Sequence, residues 1–201
     1  MHLSELILGS KADKTAGKGL KIGGKYNMFY FMKPLPKGKI DTAEWNPFIK
    51  NQWFRNHFMY FVYCLQVVLV LLSSIYDVWD FSNILLKSVL FIGTYLIHEF
   101  LHVAVIYKAG DISLTHSGIF FWITSGAVLS KLRFFLFMSL PFVGLTIVPT
   151  VLCCFIPERL RDVMVYIAWV NSIIAGSDII NSVLIAIKPR NSMFYRGYYK
   201  C

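Results

Sequence analysis

The sequence predicts an all-α membrane protein with about four transmembrane helices and one cytoplasmic loop that can form a short β-hairpin. Of its 201 residues, 56% are hydrophobic and only 15% are charged, whereas soluble domains carry about 25% charged residues. The mean hydropathy is +0.56. A soluble domain of this length has no interior large enough for so much apolar surface. The composition therefore excludes a soluble enzyme, a disordered protein and a nucleic-acid-binding module.

Four apolar stretches reach the length of about 20 residues that an α-helix needs to cross a bilayer. They cover residues 58–76, 81–107, 134–156 and 163–187. The third stretch contains Pro141 and Pro149, so we expect a kinked helix there. Together the four stretches define a membrane domain over residues 57–187.

Two basic tails flank this membrane domain. Residues 1–56 are expected to form a flexible N-terminal tail with turns, because Lys, Gly and Pro dominate much of it. Within this tail, the aromatic segment 26–32 favours either a position at the membrane interface or a single strand. Residues 188–201 form a second, shorter basic tail.

The distribution of Lys and Arg predicts how the chain is oriented in the membrane. With the N-terminus inside, the two tails and the loop 108–133 hold 17 of the 20 basic residues, whereas the outer loops hold two. Basic residues concentrate in cytoplasmic loops. We therefore expect both termini to be cytoplasmic. The net charge of +9 then reflects topology and attraction to anionic lipid.

The second span contains the motif HEFLH at residues 98–102. Because positions i and i+4 lie one turn apart on one helix face, His98 and His102 can bind one Zn²⁺. Glu99 is then placed to act as a general base towards water. Alternatively, both histidines have hydrogen-bond partners within a helix bundle and Glu99 forms a salt bridge. The metal site is favoured, because burying three ionisable groups in hydrocarbon is costly.

A catalytic zinc site needs a third protein ligand and one open position. Asp178 lies in the fourth span, nine residues from the predicted inner end, and His98 lies nine residues from the inner end of the second span. At about 1.5 Å per residue, both lie roughly 13 Å from the cytoplasmic end of their helices. Asp178 is therefore the predicted third ligand. Asp111 and His116, in the inner loop, are the alternatives.

A polar stripe accompanies Asp178 along the fourth span. Asn171, Asn181 and Ser182 lie close to the same helical face. We expect Asn171 and Asn181 either to form hydrogen bonds between helices or to act at the site. At the site they would be oxyanion donors or partners of the metal ligands. The spacing of Ser172 and Gly176 places small residues where another helix can approach closely.

The inner loop contains two β-prone segments, residues 112–115 and 119–124, on either side of a predicted turn at 116–118. A hairpin beside the site could bind an unwound substrate by adding a strand to its edge. An ordinary interfacial loop is the alternative interpretation.

The order of these motifs resembles a known family. HEFLH in a membrane span is followed by LSKLRFF, by SLPF and by NSIIAGSDIIN in the last span. Over roughly residues 30–195, this pattern resembles the putative zincin peptidases of bacteria, which are small integral membrane proteins. It is more distantly similar to site-2-type intramembrane metalloproteases, from which it departs in having Ile179 after Asp178 and no proline between Asn171 and Asp178.

The resemblance implies that His98, His102 and Asp178 are zinc ligands and that Glu99 is the catalytic base. It implies a zinc metalloprotease of a bacterial plasma or inner membrane that hydrolyses a peptide bond in a membrane or membrane-associated substrate near the cytoplasmic face. The alternative is a non-catalytic, metal-stabilised membrane protein that binds or escorts a partner, such as a peptide exporter accessory or an immunity factor. The intact Glu99 favours the enzyme. An ion transporter is disfavoured, because no internal repeat is apparent. We expect no nucleic-acid partner, and the oligomeric state stays open.

Overall fold

The computed structural model describes residues 20–21, 28–35, 44–79, 83–117 and 120–201. These residues are mostly helical, with strands in two small sheets. Much of the predicted N-terminal tail, residues 80–82 and the predicted turn residue Gly118 lie outside the described residues. The chain divides into two compact units. We call residues 58–102 and 136–186 the helical unit, and the described parts of 1–57, 103–135 and 187–201 the sheet unit.

The helices follow the predicted apolar stretches closely. In chain order they are α1 (Gln52–Ile75), α2 (Ile84–Ile106), α3 (Lys131–Phe142), a π-helix (Val143–Ile147), α4 (Val148–Leu152), α5 (Glu158–Ile174) and α6 (Gly176–Ala186).

Three helical segments in the described residues are long and apolar enough to cross a membrane, and a fourth if the bent pair α5–α6 counts as one span. The three are α1, α2 and the continuous run Lys131–Leu152. Their large apolar side chains are widely exposed, for example 71% at Ile75 and 75% at Ile84. Exposed apolar surface on this scale is expected where lipid is the solvent.

The two prolines of the third predicted span occupy different positions in their helices. Pro141 lies inside α3, and the chain then passes through the π-helix into α4. Pro149 lies in the first turn of α4, where a backbone N–H has no partner within that helix.

The fourth predicted span, 163–187, is not one straight helix. Helices α5 and α6 meet at Ala175 with a bend of 66°. The break is stabilised from α1, because Gln66 Nε2 donates a hydrogen bond of 3.0 Å to the carbonyl of Ile173. A Cβ at Gly176 would lie only 3.1 Å from Gln66 Cγ, so glycine at this position gives Gln66 room to reach the break.

The expectation of an all-α protein is corrected by two four-stranded sheets. The first has the order β1-β2-β4-β5 and contains the predicted hairpin as β4 and β5, and the second has the order β3-β8-β7-β6. The strands are β1 (Leu20–Lys21), β2 (Met28–Phe31), β3 (Asn46–Pro47), β4 (Ile112–Ser117), β5 (Phe120–Ser125), β6 (Leu129–Ser130), β7 (Met193–Tyr195) and β8 (Tyr198–Lys200). Of the two expectations for residues 26–32, the strand is found, because β2 pairs in parallel with β4.

The basic C-terminal segment is a packed hairpin, although the sequence predicted only a tail. Arg196 and Gly197 have φ values of 44° and 78°, which suits the two-residue turn of a tight hairpin. Alternation places Phe194 and Tyr199 on one face, where both are buried. Phe194 packs against Phe134, with ring centroids 4.8 Å apart. Two adjacent aromatic residues on each side of Arg-Gly are therefore the signal that would have identified these strands.

Candidate metal centre

Helix α2 brings the two histidines of the HEFLH motif together inside the helical unit. His98 and His102 are 3% and 5% exposed, and their Nε2 atoms lie 3.2 Å apart. The four-residue spacing places both rings on one face of α2. A short distance between two buried imidazole nitrogens is favourable only where a proton or a cation lies between them.

Asp178 completes a group of three donors. Its Oδ2 atom lies 3.1 Å from the Nε2 atom of each histidine, and the carboxylate is buried. In a tetrahedral site with ligand distances of 2.0–2.1 Å, donor atoms lie about 3.3 Å from one another. The observed separations of 3.1–3.2 Å match that edge length. Among the described residues, His98, His102 and Asp178 form a group that can hold a metal ion.

The break between α5 and α6 sets the position of Asp178. Asp178 lies in the first turn of α6, where the positive end of the helix dipole stabilises a carboxylate. The three protein donors leave a fourth tetrahedral position available, which is the arrangement typical of catalytic zinc sites.

Hydrogen bonds at the Nδ1 atoms orient both imidazoles. Nδ1 of His98 donates to Oδ1 of Asn171 over 2.8 Å, and Nδ1 of His102 donates to the carbonyl oxygen of Phe137 over 2.6 Å. A proton on Nδ1 leaves the Nε2 lone pair free to bind a metal. Both rings therefore have the tautomer and the direction that a zinc ligand requires.

Asn171 is fixed by a network of its own. It is fully buried, and its Nδ2 atom donates to the carbonyl of Pro141 at 3.1 Å and to Oγ1 of Thr146 at 2.9 Å. With both amide hydrogens committed, Asn171 has no donor left for an oxyanion. Of its two expected roles, these contacts fit the orientation of His98. Asn181 is half-buried on α6 and is not one of the three donors.

Replacing Asn171 by alanine is expected to weaken zinc binding about 10–100-fold, because His98 loses the partner that fixes its tautomer. Chelator competition on the purified protein measures this affinity. Asn191→Ala is the matched control, because Asn191 is exposed in a turn. Equal zinc affinity in the Asn171→Ala variant and the wild type would contradict the role of Asn171.

Glu99 lies between the two histidines but outside the donor group. Its side chain is half-buried and lies close enough to His98 and His102 to interact with their charge. The hydroxyl of Tyr95, one turn earlier on α2, donates a hydrogen bond to the Glu99 carboxylate. Glu99 therefore lies near the metal group and is not one of its three donors.

Of the two alternative ligands, Asp111 is not one of the three donors that the described residues bring together. Asp111 belongs to the first sheet, where its Oδ1 atom accepts a hydrogen bond of 2.8 Å from the backbone N–H of Met28. Its carbonyl accepts another from Gly126. His116 lies in β4 opposite Phe121, and its side chain is outside the described part of the structure.

Comparison with known proteins identifies the family. No curated protein and no solved structure matches the chain significantly. The family model described as "Putative zincin peptidase" matches residues 91–193, a region that includes all three donors and Glu99. This match covers just over half of the sequence, in agreement with the resemblance found from the motifs. The chain therefore belongs to the putative zincin peptidase family.

Proposed function

We propose that this protein is a membrane-embedded zinc metalloprotease that hydrolyses a peptide bond of a membrane or membrane-associated substrate near the cytoplasmic face. The convergence of His98 Nε2, His102 Nε2 and Asp178 Oδ2 within 3.2 Å of one another is the observation that carries the proposal. The adjacent Glu99 adds the base that hydrolysis requires.

The metal ligands in this proposal are His98, His102 and Asp178. A bound Zn²⁺ would supply Lewis acidity, which lowers the pKa of water towards about 7 and polarises the scissile carbonyl. The hydrogen bonds of their Nδ1 atoms to Asn171 and to the Phe137 carbonyl leave the Nε2 atom of each imidazole to bind the metal. The negative charge of Asp178 partly balances the charge of the cation in a buried site.

Glu99 moves the proton in the proposed reaction. It accepts a proton from the attacking water and later donates it to the leaving amine. The hydrogen bond from Tyr95 helps to fix the position of the carboxylate. Asn181, further along α6, is a candidate donor of a hydrogen bond to the oxyanion that forms from the scissile carbonyl.

The proposed topology has four spans, with the bent pair α5–α6 as the fourth. A break inside a membrane is tolerated where other groups satisfy the freed backbone, and Gln66 does so at Ile173. The excess of Lys and Arg in the tails and in the loop 108–133 supports cytoplasmic termini. In this proposal residues 57–187 are the membrane protease domain, flanked by the tails 1–56 and 188–201.

Among the described residues, β5 is an edge strand of the first sheet, which supports binding of an unwound substrate by strand addition. The carbonyl of Leu114 accepts a hydrogen bond from Met32, so the polar backbone groups of Leu114 point towards β2. Leu114 lies opposite Ile123, which is therefore a non-hydrogen-bonded position in the β4–β5 pair. The N–H groups of Ile123 and Phe121 point away from β4, where an added peptide strand could accept from them.

Proline at either of these two positions removes one outward donor without removing a bond to β4. We expect Phe121→Pro and Ile123→Pro to abolish cleavage while zinc remains bound. Ile123→Ala is the matched control, because it shortens the side chain but keeps the N–H. Cleavage that persists at the wild-type rate in both proline variants would exclude strand addition at this edge.

The function is tested by comparing cells that produce the wild type with cells that produce Glu99→Gln. Mass spectrometry of protein N-termini in the membrane fraction is expected to reveal new termini with the wild type alone. If the cellular phenotype and the N-termini are the same for both proteins, the non-catalytic, partner-binding alternative replaces the protease.

A further inference from the structure

The carbonyl oxygen of Phe137 is an unusual partner for a metal ligand, because it lies inside a helix. Phe137 is in the middle of α3, where a carbonyl normally accepts from the N–H four residues later. Here it accepts from His102 Nδ1 at 2.6 Å. The rings of His102 and Phe137 also pack, with centroids 4.8 Å apart.

The residue four positions after Phe137 is Pro141. Proline has no backbone N–H, so the α-helical hydrogen bond to the Phe137 carbonyl is missing. Loss of a backbone hydrogen bond in the apolar interior of a membrane protein is costly unless another donor replaces it. The Nδ1 proton of His102 is such a donor, and the same bond fixes the histidine.

The second histidine depends on the same turn of helix. The carbonyl of Pro141 accepts from Asn171 Nδ2 at 3.1 Å, and Asn171 in turn accepts from His98. Directly after this turn the chain forms the π-helix, in which the N–H of Val148 bonds to the carbonyl of Val143 five residues earlier. Its Thr146 supplies the other acceptor for Asn171. π-Helical turns of this kind occur frequently at functional sites.

We propose that Pro141 is a positioning residue of the metal centre: because it has no N–H to bond to the Phe137 carbonyl, that carbonyl can accept from Nδ1 of His102 and hold the ring in the metal-binding tautomer. This inference rests on the proposed metal site and goes beyond it, since it assigns a function to a residue that binds neither metal nor substrate. Pro141 is fully buried and thus acts within the protein, through one backbone carbonyl.

Alanine at position 141 restores the N–H. The Phe137 carbonyl is then drawn into line with the helix axis by its regular partner, and its bond to His102 weakens. We expect Pro141→Ala to lower zinc affinity about 10–100-fold, as for other partners of metal-bound histidines. The absorption spectrum of the Co²⁺-loaded variant should also change, because the orientation of one ligand changes.

A second variant separates the missing N–H from the shape of the proline ring. Incorporation of the α-hydroxy acid analogue of alanine at position 141 replaces the amide by an ester, which lacks both the ring and the N–H. This variant should retain the zinc affinity and the Co²⁺ spectrum of the wild type. Pro149→Ala is the matched control, since it changes the other buried proline of the same run of helix and should leave both readouts unchanged.

Two results would overturn the inference while leaving the metal site intact: wild-type zinc affinity in Pro141→Ala, or a loss in the ester variant as large as the loss in Pro141→Ala. Absence of zinc from the wild-type protein itself would instead overturn the proposed metal site, and the inference would fall with it.

Discussion

Glu99→Gln is expected to lower the rate of peptide-bond hydrolysis by about 10²–10⁴-fold, the usual contribution of a general base. Glutamine has nearly the same shape as glutamate but cannot accept a proton from water at neutral pH. Since Glu99 lies outside the group of three donors, the variant should bind zinc as the wild type does.

The measurement is cleavage of an identified substrate by purified protein in proteoliposomes, with zinc content determined on the same samples. Glu158→Gln is the matched control, because Glu158 is exposed at the start of α5. It should retain full activity. A Glu99→Gln variant that cleaves at the wild-type rate would exclude Glu99 as the base, and a variant that loses zinc would indicate that Glu99 is a ligand.

Asp178→Ala is expected to abolish hydrolysis. It should also lower zinc affinity more than a substitution of any residue that orients the histidines. Asp178 is the one anionic donor of the three, and its Oδ2 atom contacts both imidazoles. Without it, two neutral nitrogens remain, and two ligands do not hold zinc in the geometry of a catalytic site.

Zinc affinity of the Asp178→Ala variant is measured by chelator competition, together with its elution volume in detergent as a test of folding. Asp162→Ala makes the same chemical change at an exposed position on α5 and should behave as the wild type. A folded Asp178→Ala variant that binds zinc with unchanged affinity would show that the third ligand lies elsewhere.

The sequence was sufficient to predict which three residues come together as possible metal donors, because each of them leaves a local trace. His98 and His102 have the spacing of one helical turn, and Asp178 is an ionisable residue at matching depth in another apolar stretch. The structure brings these three residues together. The depth argument needs only the helical rise and the ends of two spans, and both are readable from hydropathy.

The sequence could not predict that Asn171 and Asp178 contact two different nitrogen atoms of His98. On one straight helix, residues seven apart lie about 10.5 Å from each other, too far to contact the same imidazole. The bend at Ala175 allows Asn171 to bind Nδ1 of His98 while Asp178 contacts Nε2. That bend depends on Gln66, which is 107 residues from Ile173 in the chain, and on the space left by Gly176.

Two further features of the structure cannot be predicted from the pattern of side chains. The partner of His102 is a backbone carbonyl, which exists at every residue and is made available here by a proline four residues later. The parallel pairing of β2 with β4 joins Phe29 to Ile112, segments far apart in sequence and separated by two apolar helices. Local propensity carries no information about such pairing.

The most direct test of the metal centre is the zinc content of the full-length protein, purified in detergent without added metal or chelator, beside His98→Ala. We predict one zinc ion per wild-type chain and none in His98→Ala. A folded wild-type protein that contains no zinc, and acquires none when zinc is supplied, would contradict the metal centre and with it the proposed protease.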